Sequence, residues 1–285
     1  LRATGMAGGG EVLLARDFRA SSPEIVVDCA VAIAAAGLRP VDCGALPTPA
    51  LALHAMAQGS PAIMVTGSHI PADRNGLKFY TPAGEITKDD EVGISAALED
   101  PAIEGEAEAL DGYALAGDRY RQRYRHLLDR AALQGWRVGV FEHSSVARDL
   151  LVSLLTRAGA DVVRLGRESG FVAVDTEAFS DPIFEPRMRW IAEHQLDAIV
   201  STDGDGDRPL VIDGQGDFVR GDALGLLTAQ FAGADVVVTP VTSNSAIEAT
   251  GSFRSVVRTR VGSPYVIAGM EEAALAGDTV VGFEA

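Results

Sequence analysis

Residues 63–79 read Ile-Met-Val-Thr-Gly-Ser-His-Ile-Pro-Ala-Asp-Arg-Asn-Gly-Leu-Lys-Phe. The apolar run at residues 62–65 predicts a buried strand, and Gly67 permits the sharp turn that ends it. The proline and the Asn-Gly pair that follow predict a loop, with Lys78 shortly downstream. A hydroxyl at a strand end, Ser68, with a histidine and a lysine nearby suits a serine that accepts and donates a phosphoryl group. By itself, a Ser-His pair in a turn more often has only a structural role in the turn.

The composition limits the class of protein to which this turn belongs. The chain has 285 residues, 47% of them hydrophobic, a mean hydropathy of +0.13 and a formal charge of −16. These values indicate a globular, cytoplasmic protein of two or three domains. The negative charge argues against nucleic acid, which needs clustered cations. No apolar run is long enough to span a bilayer, so we expect no membrane partner. Two cysteines, Cys29 and Cys43, provide neither a disulfide framework nor a metal spacing.

Strands and helices alternate along the whole chain, which predicts an α/β fold with largely parallel sheets. Pro47 and Pro49 predict a stiff turn that opens the second helix. Strands are predicted at residues 11–15, 38–44, 62–65, 136–141, 160–165, 196–201, 210–212, 235–240, 255–259 and 279–283. Helices are predicted at residues 22–37, 49–58, 104–129, 145–159, 183–194, 222–231, 245–250 and 264–276.

A second motif, Asp-Gly-Asp-Gly-Asp-Arg at residues 203–208, follows an apolar strand. Alternate glycines allow a tight loop to turn three carboxylates inward, where they can bind a hard divalent cation. Acidic Gly-rich loops are also common solvated turns, but three crowded carboxylates repel one another without a cation. An EF-hand loop is excluded, because Arg208 and Gly214 stand where it needs glycine and glutamate. An aspartyl-phosphate nucleophile is conceivable, but it leaves Ser68 without a role.

These motifs, together with several others in the same order, resemble the alpha-D-phosphohexomutase superfamily. Within that superfamily the chain looks like the phosphomannomutase/phosphoglucomutase enzymes. The matching stretches are Ala15-Arg-Asp-Phe-Arg19 with Ser21-Ser22, Leu46-Pro-Thr-Pro49, Thr66-Gly-Ser-His69, Asn75-Gly-Leu-Lys78, Asp203-Gly-Asp-Gly-Asp-Arg208, Arg258-Thr-Arg-Val-Gly262 and Gly282-Phe-Glu-Ala285. Residues 141–146 depart from the pattern, since they replace a Gly-rich turn common in relatives.

The resemblance implies α/β domains around a central cleft. We expect three consecutive domains, at residues 1–117, 118–219 and 220–285, with mixed, largely parallel sheets. The family's fourth, C-terminal domain is absent from this chain, which suggests that the residues are part of a longer protein.

The resemblance also implies roles for individual residues. Ser68 would be a phosphoserine and, with Asp203, Asp205 and Asp207, would hold Mg²⁺. The remaining catalytic residues would be His69, Lys78, Arg208 and Arg2, and the substrate-binding residues Glu284, Arg260 and Arg19.

The implied reaction interconverts hexose 6-phosphate and hexose 1-phosphate, of mannose or also of glucose, through a bound hexose 1,6-bisphosphate. Two alternatives stay open at this point. One is a phosphoglucosamine mutase, and the other is a non-catalytic module that binds metal and sugar phosphate. The expected partners are small hexose phosphates, and the expected state is a monomer or a homodimer.

Overall fold

The computed structural model describes residues 10–97, 105–125 and 127–284. The chain divides into two compact units, Leu1–Asp217 and Phe218–Ala285. Strands and helices alternate in both units, which confirms the α/β class with mixed, largely parallel sheets. Within the described part of the chain, no helix is long and apolar enough to cross a membrane.

The first sheet of unit 1 has six strands in the order β5-β4-β3-β1-β2-β6. Strand β1 pairs in parallel with β2 and β3, whereas β4 runs antiparallel to β3. The elements are β1 (Glu11–Arg16), α1 (Ser22–Ala35), β2 (Arg39–Ala45), α2 (Thr48–Gln58), β3 (Ala62–Val65), β4 (Leu77–Thr81), β5 (Gly84–Glu85), α3 (Lys88–Ala96), β6 (Leu110–Asp111) and α4 (Tyr113–Tyr124).

Helices cover both faces of this sheet at β1, where alternate side chains point to opposite sides. Val12 and Leu14 pack in one core cluster with residues of α1, while Leu13 and Ala15 pack in another with residues of α2. A strand buried on both faces needs a continuous apolar run, which residues 12–15 supply. Since β1 and β3 are parallel, their carboxyl ends lie side by side, and this edge of the sheet carries the site.

The second sheet of unit 1 contains the strands β10-β9-β7-β8 in that order. Strands β9 and β10 form an antiparallel hairpin, with Thr202 opposite Pro209, so residues 203–208 are the hairpin loop. The elements are β7 (Arg137–His143), α5 (Arg148–Arg157), β8 (Asp161–Arg167), α6 (Arg187–His194), β9 (Ala198–Thr202) and β10 (Pro209–Asp213).

Unit 2 contains a parallel three-stranded sheet in the order β13-β12-β14. Its central strand is entirely buried and carries three consecutive valines. The elements are β11 (Phe218–Val219), α7 (Gly221–Phe231), β12 (Val236–Pro240), α8 (Ala246–Ala249), β13 (Ser255–Thr259), α9 (Ser263–Ala274) and β14 (Val280–Gly282).

One local prediction was wrong. The long helix predicted at residues 104–129 is confined in the described residues to α4, because Leu110–Asp111 instead pairs with β2 and Gly112 stands at the start of α4. Lys78, shortly downstream of the predicted loop, lies on β4 opposite Met64. The three-domain division stays a prediction.

Candidate active site

Ser68 lies in a strained turn directly after β3. Its φ of +50° is in the left-handed region that non-glycine residues rarely adopt. The Ser68 N–H donates to Oγ1 of Thr66 over 2.8 Å, which holds the turn closed. A Cβ on Gly67 would lie 2.7 Å from Cζ of Arg19, so only glycine fits there. The turn therefore depends on close packing against Arg19.

A fully buried carboxylate, Asp17, anchors this turn to the end of β1. One of its oxygens, Oδ2, accepts hydrogen bonds from Thr66 Oγ1 at 2.9 Å and Arg19 Nε at 3.0 Å. The other, Oδ1, accepts from Ser22 Oγ at 2.6 Å and from the Arg19 N–H at 3.0 Å. A buried charge needs this degree of pairing, because desolvation otherwise makes it costly.

Arg19 is also buried, and every N–H of its guanidinium is used. Nε pairs with Asp17, and both terminal nitrogens donate to main-chain carbonyls of the Ser68 loop. These bonds run from Nη1 to Pro71 O at 2.6 Å and Arg74 O at 2.8 Å, and from Nη2 to Ser68 O at 2.9 Å and Ile70 O at 2.7 Å. A guanidinium has about five N–H donors, so none is left for a sugar oxygen. This geometry favours a loop-holding role over the predicted substrate contact, which stays untested.

The three aspartates of the β9–β10 loop form the acidic centre predicted from the sequence. Asp203 and Asp205 are fully buried, and the side chain of Asp207 is 31% exposed. One oxygen from each lies within 4.8 Å of the others. Gly206 has a φ of +76°, and a Cβ there would lie 3.2 Å from both Pro47 and Ala147. The alternate glycines therefore allow the turn that gathers the carboxylates.

The structure brings the two motifs together. Ser68 Oγ donates to Asp203 Oδ2 over 2.6 Å, although the residues are far apart in sequence. Lys78 reaches the same centre from β4, with Nζ 2.7 Å from Asp205 Oδ2 and 2.6 Å from Asp207 Oδ2. His69 Nδ1 lies 3.4 Å from Ser68 Oγ. A hydroxyl, an imidazole, an ammonium and three carboxylates thus share one site.

Burial and charge shift the proton affinities in this site. Burial, together with the neighbouring Asp205 and Asp207, raises the pKa of Asp203. Burial would also raise the pKa of Asp205, but the Lys78 ammonium and hydrogen bonds from Lys78 and Thr48 outweigh it and lower that pKa. For Lys78, burial acts to lower the pKa, yet the two carboxylates it contacts raise it. Lys78 is therefore a permanent cation, whereas burial and the neighbouring aspartates disfavour the charged form of Asp203.

The aspartate centre fits a hard divalent cation. Its donors are carboxylate oxygens, which Mg²⁺ prefers. Asp205 Oδ1 is buried and has no hydrogen-bond partner among the described residues. Buried polar atoms are rarely left unpaired, so this oxygen indicates a ligand position.

Sequence reasoning missed the roles of the residues that hold the site together. Asp17 was recognised only as part of a matching stretch, and Thr48 only as part of a matching stretch and a stiff turn. Arg19 was predicted to bind substrate, not to hold the Ser68 loop. Thr48 Oγ1 donates to Asp205 Oδ2 over 2.5 Å, and its N–H donates to Asp205 O over 2.9 Å. A charged pair directly after a buried strand was the available signal for Asp17 and Arg19. No sequence signal links Thr48 to Asp205.

Three more predicted site residues lie among the described residues. Residues 203–208, the β9–β10 loop with the three aspartates, are called the metal loop below. Arg208 is half-buried at the end of this loop, and its N–H donates to Asp203 Oδ1 at 3.2 Å. Glu284 and Arg260 are exposed in unit 2, where the Arg260 guanidinium lies 5.7 Å from the centre of the Tyr265 ring. Arg2 falls outside the described residues.

Known proteins share this combination of fold and motifs. The family described as phosphoglucomutase/phosphomannomutase, alpha/beta/alpha domain I, matches residues 1–102. A phosphomannomutase of Sinorhizobium fredii (strain NBRC 101917 / NGR234) is 50% identical over 98% of this chain and 60% of its own length. A phosphoglucosamine mutase of Synechococcus sp. (strain RCC307) is 31% identical over 94% of this chain and 61% of its own length.

A solved structure supports the fold. A phosphoglucomutase/phosphomannomutase family protein from Burkholderia thailandensis superposes with a TM-score of 0.79 at 24% identity, covering 99% of this chain and 64% of that chain. The chain belongs to the alpha-D-phosphohexomutase superfamily, in its phosphomannomutase/phosphoglucomutase group. It spans about three fifths of the length of the relatives it matches.

Proposed function

We propose that this chain carries the catalytic serine of a phosphohexomutase, an enzyme that interconverts hexose 6-phosphate and hexose 1-phosphate. The observation that carries the proposal is the 2.6 Å contact between Ser68 Oγ and Asp203 Oδ2 within the aspartate centre. A serine held beside carboxylates that fit a divalent cation is suited to carrying a phosphoryl group. Phosphoryl transfer depends mostly on positioning and on stabilising spread negative charge.

The proposed reaction has two balanced transfers. In the first, a hydroxyl of the hexose monophosphate attacks the phosphorus on Ser68. The sugar O–P bond forms, the Ser68 Oγ–P bond breaks, and the hydroxyl proton passes to a base, for which His69 is the nearest imidazole. The resulting hexose 1,6-bisphosphate reorients in the site. Ser68 Oγ then attacks the phosphorus of its other phosphoryl group: a new Ser68 Oγ–P bond forms, that sugar O–P bond breaks, and the proton passes from the base to the sugar oxygen that is released.

Charge stabilisation comes from several residues of unit 1. Asp203, Asp205 and Asp207, with an oxygen on Ser68, would hold Mg²⁺, which when bound offsets the negative charge of the phosphoryl group. Lys78 supplies a second, permanent positive charge on the same carboxylates. Its ammonium would both orient Asp205 and attract the phosphoryl oxygens.

Further charge and specificity would come from the remaining predicted residues. We infer that Arg208 and Arg2 add positive charge for the phosphoryl group. Glu284 and Arg260 in unit 2 would contact the sugar. A cytoplasmic location, a monomeric or homodimeric state and the lack of a nucleic-acid partner stay predictions.

Mannose phosphate is the substrate we propose, because the Sinorhizobium fredii phosphomannomutase is 50% identical and the Synechococcus phosphoglucosamine mutase 31%. Phosphoglucosamine mutase is the second candidate, supported by that second relative. Side-by-side measurement of kcat/KM on mannose, glucose and glucosamine 1-phosphates, with the full-length protein, separates them. Higher kcat/KM on glucosamine 1-phosphate than on mannose 1-phosphate would move the assignment to the second candidate.

The role of Ser68 is tested by Ser68→Ala in the full-length protein. We expect loss of interconversion with an unchanged circular dichroism spectrum. Ser95→Ala, at an exposed position on α3, is the matched control and should keep full turnover. Undiminished turnover of Ser68→Ala would refute the proposal. A protein that binds metal and sugar phosphate, but shows neither turnover nor phosphate on Ser68, would be the non-catalytic module.

A further inference from the structure

Thr48 joins the amino end of helix α2 to the metal loop by two hydrogen bonds. Thr48, the first residue of α2, is buried, with 4% of its surface exposed. Its hydroxyl donates to the Asp205 carboxylate, and its N–H donates to the Asp205 carbonyl. The first N–H groups of a helix have no partner within the helix. Asp205 thus supplies an acceptor to one of these N–H groups, and the helix in turn fixes Asp205 at both its main chain and its side chain.

The two carboxylate oxygens of Asp205 have different surroundings. Oδ2 accepts from Thr48 at 2.5 Å and from Lys78 at 2.7 Å. Oδ1 is buried and has no partner among the described residues. Because both donors bind the same oxygen, they set the rotation of the carboxylate. The other oxygen is thereby left for a cation.

Thr48 is better suited than Lys78 to fix this rotation. Lys78 divides its ammonium between Asp205 and Asp207, and its side chain is 33% exposed. Threonine is stiff about χ1, because two heavy atoms branch from its Cβ. Thr48 is also the first residue of an 11-residue helix, and the amino end of a helix carries a partial positive charge that favours a nearby anion such as Asp205.

We propose that Thr48 is a positioning residue that orients Asp205 so that Oδ1 faces the divalent cation. The inference rests on the proposed function only in taking the aspartate centre as the cation site. It adds a role for the Leu46-Pro-Thr-Pro49 turn, because Thr48 links helix α2, packed on the first sheet, to the loop of the second. Groups that orient metal ligands typically change metal affinity by about 10- to 100-fold when they are removed.

The test measures binding of Mn²⁺, as a paramagnetic probe for the site, by electron paramagnetic resonance on the full-length protein. Thr48→Val keeps the shape and the N–H but removes the hydroxyl, and we expect the Kd for Mn²⁺ to rise about tenfold. Thr48→Ser restores the hydroxyl and should bind Mn²⁺ within about twofold of the wild type, since the donor is retained. Thr87→Val removes a hydroxyl at the exposed amino end of α3. It should lower the melting temperature without changing the Kd for Mn²⁺.

Several results would overturn the inference. One is a Thr48→Val protein that binds Mn²⁺ as tightly as the wild type. Another is an equal loss of affinity in Thr48→Val, Thr48→Ser and Thr87→Val, which would indicate general destabilisation. A wild-type protein that binds no Mn²⁺ would remove its basis. If the wild type binds Mn²⁺ and the affinities follow the expected order while no sugar phosphate is turned over, the proposed function fails and the role of Thr48 stands.

Discussion

Replacing Arg19 with lysine is the sharpest perturbation of the Ser68 turn. Lysine keeps the positive charge beside Asp17, but its ammonium has about three donors where the guanidinium has about five. At least two of the four carbonyl acceptors, on Ser68, Ile70, Pro71 and Arg74, therefore lose their partners. An unsatisfied buried acceptor costs about 1–3 kcal/mol; these contacts are only part-buried, so the low end of that range applies and two of them should cost about 2 kcal/mol in total. This cost falls on the turn that holds Ser68, the proposed catalytic serine.

Two measurements on the full-length Arg19→Lys protein test this reasoning. Amide hydrogen exchange in residues 66–76 should speed up by about one to two orders of magnitude, because 1.4 kcal/mol corresponds to about tenfold. Turnover should fall while KM for mannose 1-phosphate changes little. Arg189→Lys, on the exposed face of α6, is the matched control and should change neither quantity. A rise in KM with unchanged exchange and unchanged kcat would refute the positioning role and support the substrate contact predicted from the sequence.

Three further predictions concern charge and backbone strain around the metal loop. Burial lowers the pKa of His143 to about 4, so between about pH 6.5 and pH 4 the unfolded chain binds a proton that the folded chain does not. The free energy of unfolding should therefore decrease as the pH is lowered through this window. At about pH 4.5 the decrease should be about 2.5 kcal/mol larger in the wild type than in His143→Asn, as measured by urea unfolding. Equal pH profiles of the two proteins would contradict this prediction. Gly206→Ala should weaken Mn²⁺ binding, because the φ of Gly206 is +76° and the new Cβ would lie 3.2 Å from Pro47. The control Gly59→Ala has a similar φ of +65° but open space around the new Cβ, so it should lower only the melting temperature. Lys78→Met should lower the melting temperature of the metal-free protein, yet tighten Mn²⁺ binding, because a competing cation is removed; weaker Mn²⁺ binding in a titration would contradict this reasoning.

The sequence predicted the alternation of elements because buried parallel strands need apolar runs, such as residues 12–15. It also predicted the two loops of the site, since each follows such a run and carries glycine with chemically active side chains. That Ser68 and Asp203 meet could be inferred only from the resemblance, because 135 positions separate them and no local pattern brings them together. The structure supplies this contact through the packing of two sheets in one unit.

The sequence predicted less well wherever a residue acts through tertiary contacts. The helix predicted at residues 104–129 reflected polar composition, whereas pairing of Leu110–Asp111 with β2 decides the local structure. Ser22 was recognised as part of a matching stretch, but its hydroxyl donates to Asp17. The contact between Thr48 and Asp205 joins distant segments in the same way. Such roles depend on three-dimensional neighbours, which a single sequence does not specify.

The central claim is that Ser68 carries the phosphoryl group. The most direct measurement is tandem mass spectrometry of the full-length protein after incubation with mannose 1,6-bisphosphate. We predict phosphate on the peptide that contains Ser68, and its transfer to the sugar when mannose 6-phosphate is added. Continued interconversion of mannose phosphates with Ser68 unmodified at every time point, or with the phosphate on another residue, would contradict the account.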